Sequence, residues 1–334
     1  MSNNKTNFYF IILFIFLFCV VISNILVRNF FLDDANFTNT ELLYQSFFTH
    51  FEGLKTQVNN YYQNYNCEVN HSLHERHRLR WIFLNVWNIL FDFGNQIFDS
   101  KKILFNLYKV LISILLFTSF YLLIISYDYK KNLNQFFTTS ILFIVFLLLI
   151  SSSNVSEINF SIIEFFFLSA GLYSIFKKNF LFFLIICCLA PLNRESGFII
   201  PLIYLIFYPK EIKKILIVLL IPSLIYLILN YSSIKCFLTP GFLLTTRPTH
   251  GTFFDFNLIS LVKIIIQDYF LTIIIFILYW NKTVLQKKIL IIFLIYSFAF
   301  LIGTPIQHSI IKILYIPLLI LFINSKDLKL NRVN

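Results

Sequence analysis

The chain alternates long apolar runs with short breaks that carry lysine. A transmembrane helix needs about 20 mostly apolar residues, and somewhat fewer if its flanks adapt. We interpret ten runs as spans, several of them short, and count one long run with a polar interruption as two short spans. They cover residues 8–27, 103–127, 136–150, 160–176, the two halves of 180–208, 215–231, 258–280, 289–302 and 310–323. The sequence therefore predicts an all-α, polytopic transmembrane helix bundle of ten spans, a single integral membrane domain over residues 1–334.

One long polar segment, residues 28–102, interrupts this pattern. Within it, at 81–98, polar side chains recur every three or four positions and large apolar side chains line the opposite face. The polar positions are Asn85, Asn88, Asp92 and Asn95, and the apolar ones are Trp81, Leu84, Trp87 and Phe91. This pattern is typical of an amphipathic helix on the membrane surface. We expect a long first outer loop that ends in an interfacial helix, followed by the helix bundle at 103–334.

The lysine-rich breaks predict the orientation, because they all fall on one side when ten spans are counted. They are residues 130–131, 177–178, 210–214, 282–288 and the tail from 326. Basic loops are retained in the cytoplasm, so both termini are expected inside and the first loop outside. If residues 81–98 cross the membrane instead, the first loop lies in the cytoplasm and the N-terminus outside. The polar stripe of that segment argues against contact with lipid but not against contact with a cavity.

The composition agrees with a membrane protein and excludes other classes. The 334 residues are 58% hydrophobic with a mean hydropathy of +0.77, whereas soluble domains are about 45–50% apolar. The net charge of +11 is explained by basic residues on cytoplasmic loops, so nucleic acid is not expected as a partner. No glycine-rich phosphate loop occurs, which argues against an ATP-driven pump. We expect a multi-pass protein of a bacterial inner membrane, and the oligomeric state is not predicted.

Five arginines fall on the outer side, where the orientation rule disfavours them. They are Arg76, Arg78, Arg80, Arg194 and Arg247. Arginine binds phosphate oxygens through a planar, bidentate fork. These residues are therefore candidates for a cavity that binds a phosphorylated lipid head group. Alternatively, the first three pair with membrane phosphates or anchor the interfacial helix.

The run at 180–208 contains a polar break at 191–197, with the sequence PLNRESG. We expect two short spans joined at a polar hinge that lies on the outer side or is sunk into it. A charge at membrane depth costs about 2.5–3.5 kcal/mol and is usually functional or paired. Glu195 is either the partner of Arg194 or a second catalytic group. Asn193 joins Arg194 as a candidate binding residue.

Asp33 and Asp34 follow the first predicted span by a few residues. A carboxylate at this place can act as a general base that deprotonates an acceptor hydroxyl. The alternative is a helix N-cap, a position that favours aspartate. Both interpretations remain open.

A histidine cluster lies near the end of the first loop. His71, His74 and His77 are three residues apart and would share part of one helix face, with Glu75 beside them. Such a set can hold a divalent metal, but the neighbouring arginines would repel a cation. A solvated polar face is the preferred interpretation, so no cofactor is predicted and a divalent metal is the alternative.

The order of these features resembles the GT-C superfamily of integral membrane glycosyltransferases. The shared features are a first span, the acidic pair Asp33-Asp34, a long outer loop ending in a surface helix, and a bundle of short-looped spans. The resemblance implies a polyprenyl-phosphate-linked sugar as donor and a catalytic aspartate in the first outer loop. A second similarity is to bacterial polytopic proteins with an arginine-rich segment before a tryptophan and an Asn-Arg-Glu-Ser/Thr break, here 76–81 and 193–196. The chain departs from the superfamily in having no large outer C-terminal domain.

The leading hypothesis is a membrane glycosyltransferase that moves a sugar from a polyprenyl phosphate to a lipid or glycan acceptor on the periplasmic face. Asp33 or Asp34 is then the base, while Arg78, Arg80 and Arg194 hold the donor phosphate. Glu195 orients Arg194 or the acceptor. Membrane lipids are the other expected partners.

The alternative is a transporter or flippase for a lipid-linked glycan or phosphorylated anion. It would use the same arginines, with Glu164 or Asp268 for proton coupling. A transferase needs its acids and arginines together on one side of the membrane. A transporter needs charges near the midplane between inverted repeats. A non-catalytic membrane subunit is the third possibility.

Overall fold

The computed structural model describes residues 2–32, 101–126, 133–151, 158–231, 269–281, 283–303 and 308–326, together with residues 89, 92 and 93. Every regular element in this part of the chain is helical, as the apolar runs predict. The α-helices are α1 Ser2–Leu32, α2 Lys101–Ser126, α3 Leu133–Ser151, α4 Ile158–Phe176, α5 Phe180–Asn193, α6 Ile199–Phe207, α7 Ile212–Leu229, α8 Phe270–Leu278, α9 Val284–Gly303 and α10 His308–Ile323. Two short 3₁₀ helices, Glu195–Phe198 and Asn324–Lys326, complete the described elements.

The described helices follow the predicted apolar runs in the same order along the chain. Three of them contain stretches long and apolar enough to cross a membrane: Tyr9–Val27 in α1, Lys102–Ser126 in α2 and Ile212–Leu229 in α7. The chain therefore has the helices of a membrane protein, while the ten crossings stay a prediction. Of the predicted first loop and interfacial helix at 28–102, the structure describes only 28–32 at the end of α1, residues 89, 92 and 93, and 101–102 at the start of α2; the rest lies outside the described residues.

Helix α4 lies at the centre of the described bundle. It packs against α1, α2, α5, α6 and α10. Ile162, Phe165, Leu168, Ala170 and Leu172 along this helix are completely buried. Because α4 is surrounded by other helices, a charged side chain on it must find its partner within the protein rather than in water.

Helices α5 and α6 form a hairpin whose arms are both short for a membrane crossing. Helix α5 has 14 residues and α6 has 9. At 1.5 Å per residue these are about 21 Å and 14 Å long, against a hydrocarbon core of about 30 Å. Pro191 lies in the last turn of α5, and a 3₁₀ helix leads into α6. This hairpin corresponds to the two short spans and the polar hinge that the sequence predicts.

Gly197 allows the hinge to fold back onto α5. A Cβ atom on Gly197 would lie 2.3 Å from the carbonyl carbon of Ala190 and 2.6 Å from the nitrogen of Pro191. These are backbone atoms, so they cannot rotate out of the way as a side chain can. The N–H of Gly197 also donates to the carbonyl of Arg194 at 2.8 Å, which closes the turn. The hinge is therefore tight because position 197 has no side chain.

At the other end of the hairpin, two turns lie side by side. Helix α4 ends in a Schellman motif, in which the N–H of Asn179 donates to Ser174 at 2.9 Å and the N–H of Lys178 donates to Ile175 at 3.1 Å. Lys178 has φ 54°, in the left-handed region where glycine is preferred. Asn179 then caps the start of α5. The Tyr208 hydroxyl donates to the Ile175 carbonyl at 2.8 Å, which joins the α6–α7 turn to the same helix end.

We predict that Gly197→Ala destabilises the protein much more than Gly171→Ala. The added methyl group at 197 meets backbone within 2.3 Å, whereas at 171 it meets the Ile200 side chain at 3.1 Å. Overpacking lowers stability by about 1–3 kcal/mol. We expect the contact with rigid backbone at position 197 to cost at least the upper value of this range. Thermal unfolding of the purified variants in detergent measures the difference. Equal melting temperatures for the two variants would show that the hinge is not tightly packed.

Candidate functional site

A buried acid–arginine pair lies where the hairpin meets α4. Glu164 on α4 is 0% exposed and Arg194, directly after α5, is 4% exposed. The Arg194 Nη1 and Glu164 Oε2 atoms are 3.7 Å apart. The Ser196 hydroxyl donates a short hydrogen bond to Oε1 of the same carboxylate. One carboxylate therefore contacts two residues of the predicted break, and it belongs to a different helix.

The local backbone brings Arg194 and Ser196 to α4. Helix α5 stops at Asn193, and Arg194 has an extended conformation with φ −159° and ψ 146°. Its N–H still donates to Ala190 at 3.2 Å, so the chain leaves the helix only at this residue. The 3₁₀ helix that follows turns Ser196 toward α4. Two polar side chains from the hinge thus converge on one carboxylate.

The pair lies deep within α4 and nearer to one end of it. Glu164 is six residues after Ile158 and twelve before Phe176, which is about 9 Å and 18 Å along a helix. Arg194 is separated from Phe180, at the base of the hairpin, by the whole of α5, or about 21 Å. The pair is therefore on the side of the bundle away from Lys177 and Lys178.

Burial makes this pair sensitive to the loss of either member. Moving a charge out of water costs several kcal/mol, and a buried partner offsets much of this cost. The separation of 3.7 Å is that of an ion pair rather than of a short hydrogen bond. The hydrogen bond from Ser196 gives the carboxylate additional stabilisation. Asn193, also 0% exposed, adds a buried amide beside Arg194 in the chain.

Tyr296 adds a hydroxyl near the carboxylate. This residue of α9 is completely buried, and the charge of Glu164 acts on its hydroxyl more weakly than burial does. Among the described residues its oxygen has no hydrogen-bond partner. The site thus combines a carboxylate, a guanidinium and two hydroxyls in an apolar bundle. This combination can bind an anionic group or move a proton.

The two predicted site residues that the structure describes with their side chains, Asn193 and Arg194, are both buried at the hinge. The partner in the salt bridge of Arg194 is Glu164, a residue that the sequence pointed to only for proton coupling in a transporter. Glu195 begins the 3₁₀ helix, and its side chain lies outside the described residues. The other predicted residues also lie outside them, and their roles stay predictions: Asp33, Asp34, Arg76, Arg78, Arg80 and Arg247.

No sequence pattern marks Ser196 and Tyr296 as members of the site. The sequence does offer a way to identify Glu164 as a site residue, since it is the one charged residue in the apolar run at 160–176. An isolated acid in one apolar run and an arginine in another are natural candidates for a pair. No group of three potential metal ligands occurs among the residues that the structure describes. The histidine cluster at 71–77 is not among them.

No model of a known protein family, no curated protein and no solved structure matches the chain.

We predict that Glu164→Gln and Arg194→Gln each destabilise the protein by about 3–5 kcal/mol, because each removes one member of the buried ion pair. The double variant should lose clearly less free energy of unfolding than the sum of the two single-variant losses. Unfolding in mixed micelles with increasing SDS measures these free energies.

The matched control is the exposed ion pair between Glu211 and Lys214, whose side chains are 38% and 48% exposed and 2.8 Å apart. The same cycle with Glu211→Gln and Lys214→Gln should give a coupling of at most about 1 kcal/mol. If the two cycles give equal coupling energies, the pair at the hinge is not a strongly coupled, desolvated pair.

Proposed function

We propose that the protein is a membrane glycosyltransferase that takes a sugar from a polyprenyl-phosphate donor, and that Arg194 binds the donor phosphate. The observation that carries the proposal is the burial of Arg194 at a helix break, where Glu164 and Ser196 are gathered. An arginine at this depth is costly unless it is paired or used. The ion pair explains how Arg194 can be buried there, and phosphate binding would explain why an arginine occupies this position.

Glu164 and a phosphate can both contact Arg194. A guanidinium has five N–H donors in a planar fork and binds carboxylate or phosphate along an edge. A carboxylate on the side of Nη1 holds the plane in one orientation, so less side-chain entropy is lost when a phosphate binds to another edge. Glu164 acts here as a positioning residue, and Ser196 keeps its carboxylate in place.

The pair lies closer to the expected outer end of α4 than to its lysine-bearing end, which suits a transferase. A transfer reaction needs the acidic and basic groups on one side of the membrane, whereas transport needs them near the midplane between inverted repeats. Glu164 lies about 9 Å from the start of α4 and about 18 Å from its lysine-bearing end. The expected outer loop, with Asp33 and Asp34, belongs to the same side as the start of α4.

The proposed reaction inverts the configuration at the sugar. Asp33 or Asp34 takes the proton of the acceptor hydroxyl, whose oxygen forms a bond to the anomeric carbon. The bond between that carbon and the donor phosphate oxygen breaks, and polyprenyl phosphate leaves with the negative charge. Arg194, with Arg78 and Arg80, stabilises this charge as it develops. Glu195 orients Arg194 or the acceptor, and the reaction takes place at the periplasmic face of a bacterial inner membrane.

A transporter for the same class of phosphorylated lipid is the second candidate. It is favoured by the complete burial of the Glu164 carboxylate next to Arg194. Protonation of this carboxylate would remove the attraction between the two residues, and a coupling device needs such a change. In this case Arg194 would hold the anion only while Glu164 is protonated.

We predict that the purified protein in nanodiscs binds polyprenyl phosphate more tightly than the matching polyprenol, which lacks the phosphate. Polyprenyl phosphate is the product for any sugar, so the sugar need not be known. The variant for the test is Glu164→Gln/Arg194→Gln, because it removes the guanidinium and leaves no buried charge. A lost charged hydrogen bond is worth about 1.5–3 kcal/mol, so the preference for phosphate should fall at least about tenfold.

If the double variant folds and keeps the full preference for phosphate, Arg194 is not the phosphate ligand. Proteoliposomes separate the two candidate functions. A transferase leaves polyprenyl phosphate in the leaflet where it was added, whereas a transporter moves it to the other leaflet faster than protein-free vesicles do.

A further inference from the structure

A polar cavity lies at the base of the hairpin, about 21 Å of helix away from the buried pair. The α4–α5 and α6–α7 turns enclose a volume of about 140 Å³. We call it the lysine cavity. The lining residues that matter here are Lys178, Phe180, Tyr204, Tyr208, Glu211 and Lys214. None of them belongs to the buried pair at the hinge.

The charges in the lysine cavity leave an excess of one positive charge. Lys214 forms a salt bridge with Glu211 at 2.8 Å, and the Tyr204 hydroxyl donates to the same carboxylate at 2.7 Å. These hydrogen bonds, first from Lys214 and then from Tyr204, lower the pKa of Glu211, so it is ionised at neutral pH. Lys178 adds a second positive charge, which acts on Glu211 only through a weaker electrostatic effect.

Lys178 is held in an unfavourable backbone conformation. Its φ of 54° is the left-handed geometry of the Schellman motif that ends α4. Glycine adopts this geometry without cost and is the usual residue there, whereas a side chain is disfavoured. Residues kept in sparsely populated conformations cluster at functional sites. The conformation of Lys178 therefore marks the cavity as a candidate site.

The two helices that start at the cavity favour a negative charge as well. Helix α5 begins at Phe180, and Glu211 precedes the first residue of α7. The N-terminus of a helix carries a partial positive charge of about half an elementary charge. Phe180 and Phe183 add apolar surface to the lining, beside the polar Ser174 and Asn179. A ligand with an anionic group and an adjoining apolar part matches these two kinds of surface.

We propose that the lysine cavity binds the phosphate group of an anionic phospholipid in the membrane leaflet on the lysine-bearing side. Lys178 contacts the phosphate, and Lys214 adds its charge while it stays paired with Glu211. The apolar part of the lipid lies against the phenylalanines at the start of α5. Basic pockets between membrane helices are a common form of lipid head-group site. This proposal does not depend on the glycosyltransferase activity.

The test titrates the full chain in detergent with phosphatidylglycerol or phosphatidylcholine, and native mass spectrometry counts the bound lipid. The main variant is Lys178→Gln. The matched control is Lys177→Gln, which removes the same charge from the neighbouring residue but does not line the cavity. Loss of a charged hydrogen bond should weaken phosphatidylglycerol binding by about tenfold or more. Loss of a nearby surface charge should weaken it by no more than about fivefold.

A second variant, Lys178→Gly, separates the loss of the lysine side chain from a loss of stability. Glycine removes both the side chain and the strain, so this variant should melt at a higher temperature without lipid and yet bind phosphatidylglycerol as weakly as Lys178→Gln. Equal losses in Lys177→Gln and Lys178→Gln would overturn the proposal, as would equal binding of the two lipids by the original chain. A glycerol phosphate titration identifies the source of the phosphate. If glycerol phosphate binds the cavity as tightly as phosphatidylglycerol does, the cavity is a phosphate site for a soluble ligand, and the lipid assignment is wrong.

Discussion

The ion pair between Glu164 and Arg194 connects the main features of this structure. An arginine within an apolar bundle is stable only with a partner, and the partner is on the helix that most of the described bundle surrounds. The pair also explains the form of the hairpin. Because α5 and α6 are both too short to cross a membrane, their junction lies inside the bundle, and its polar groups need protein partners. Glu164 accepts from one of these groups and pairs with another.

The same hairpin places two different polar sites at its two ends. Among the described side chains, the hinge has one buried carboxylate and one buried guanidinium, which pair with each other. The base has an open cavity with surplus lysine charge. We propose that both ends bind phosphate groups of lipids, but for different purposes. Arg194 at the hinge would hold a reacting group, whereas Lys178 at the base would hold a phospholipid of the leaflet on the lysine-bearing side.

Much of the helical architecture follows from local patterns in the sequence. Apolar runs of the right length predict helices, and a proline, charges and a glycine within 191–197 predict where one run is broken. The pairing across helices does not follow from these patterns. Glu195 is next to Arg194 in the chain and was one expected partner, but the described salt bridge joins Arg194 to Glu164, thirty residues earlier. Such a contact depends on the depth and rotation of two helices, which periodicity alone does not give. The left-handed conformation of Lys178 could not be predicted from the sequence either, because glycine or asparagine is the usual residue at that position.

The central claim is that the guanidinium held by Glu164 is the group that contacts a lipid phosphate. Solid-state NMR on the protein in liposomes can measure the dipolar coupling between the ³¹P nucleus of bound polyprenyl phosphate and ¹⁵N nuclei of arginine. The signal is assigned to Arg194 by its loss in Glu164→Gln/Arg194→Gln. The account predicts a coupling that corresponds to a direct hydrogen bond, with nitrogen and oxygen about 2.7–2.9 Å apart. A bound phosphate that couples to other arginines and not to Arg194 would contradict it.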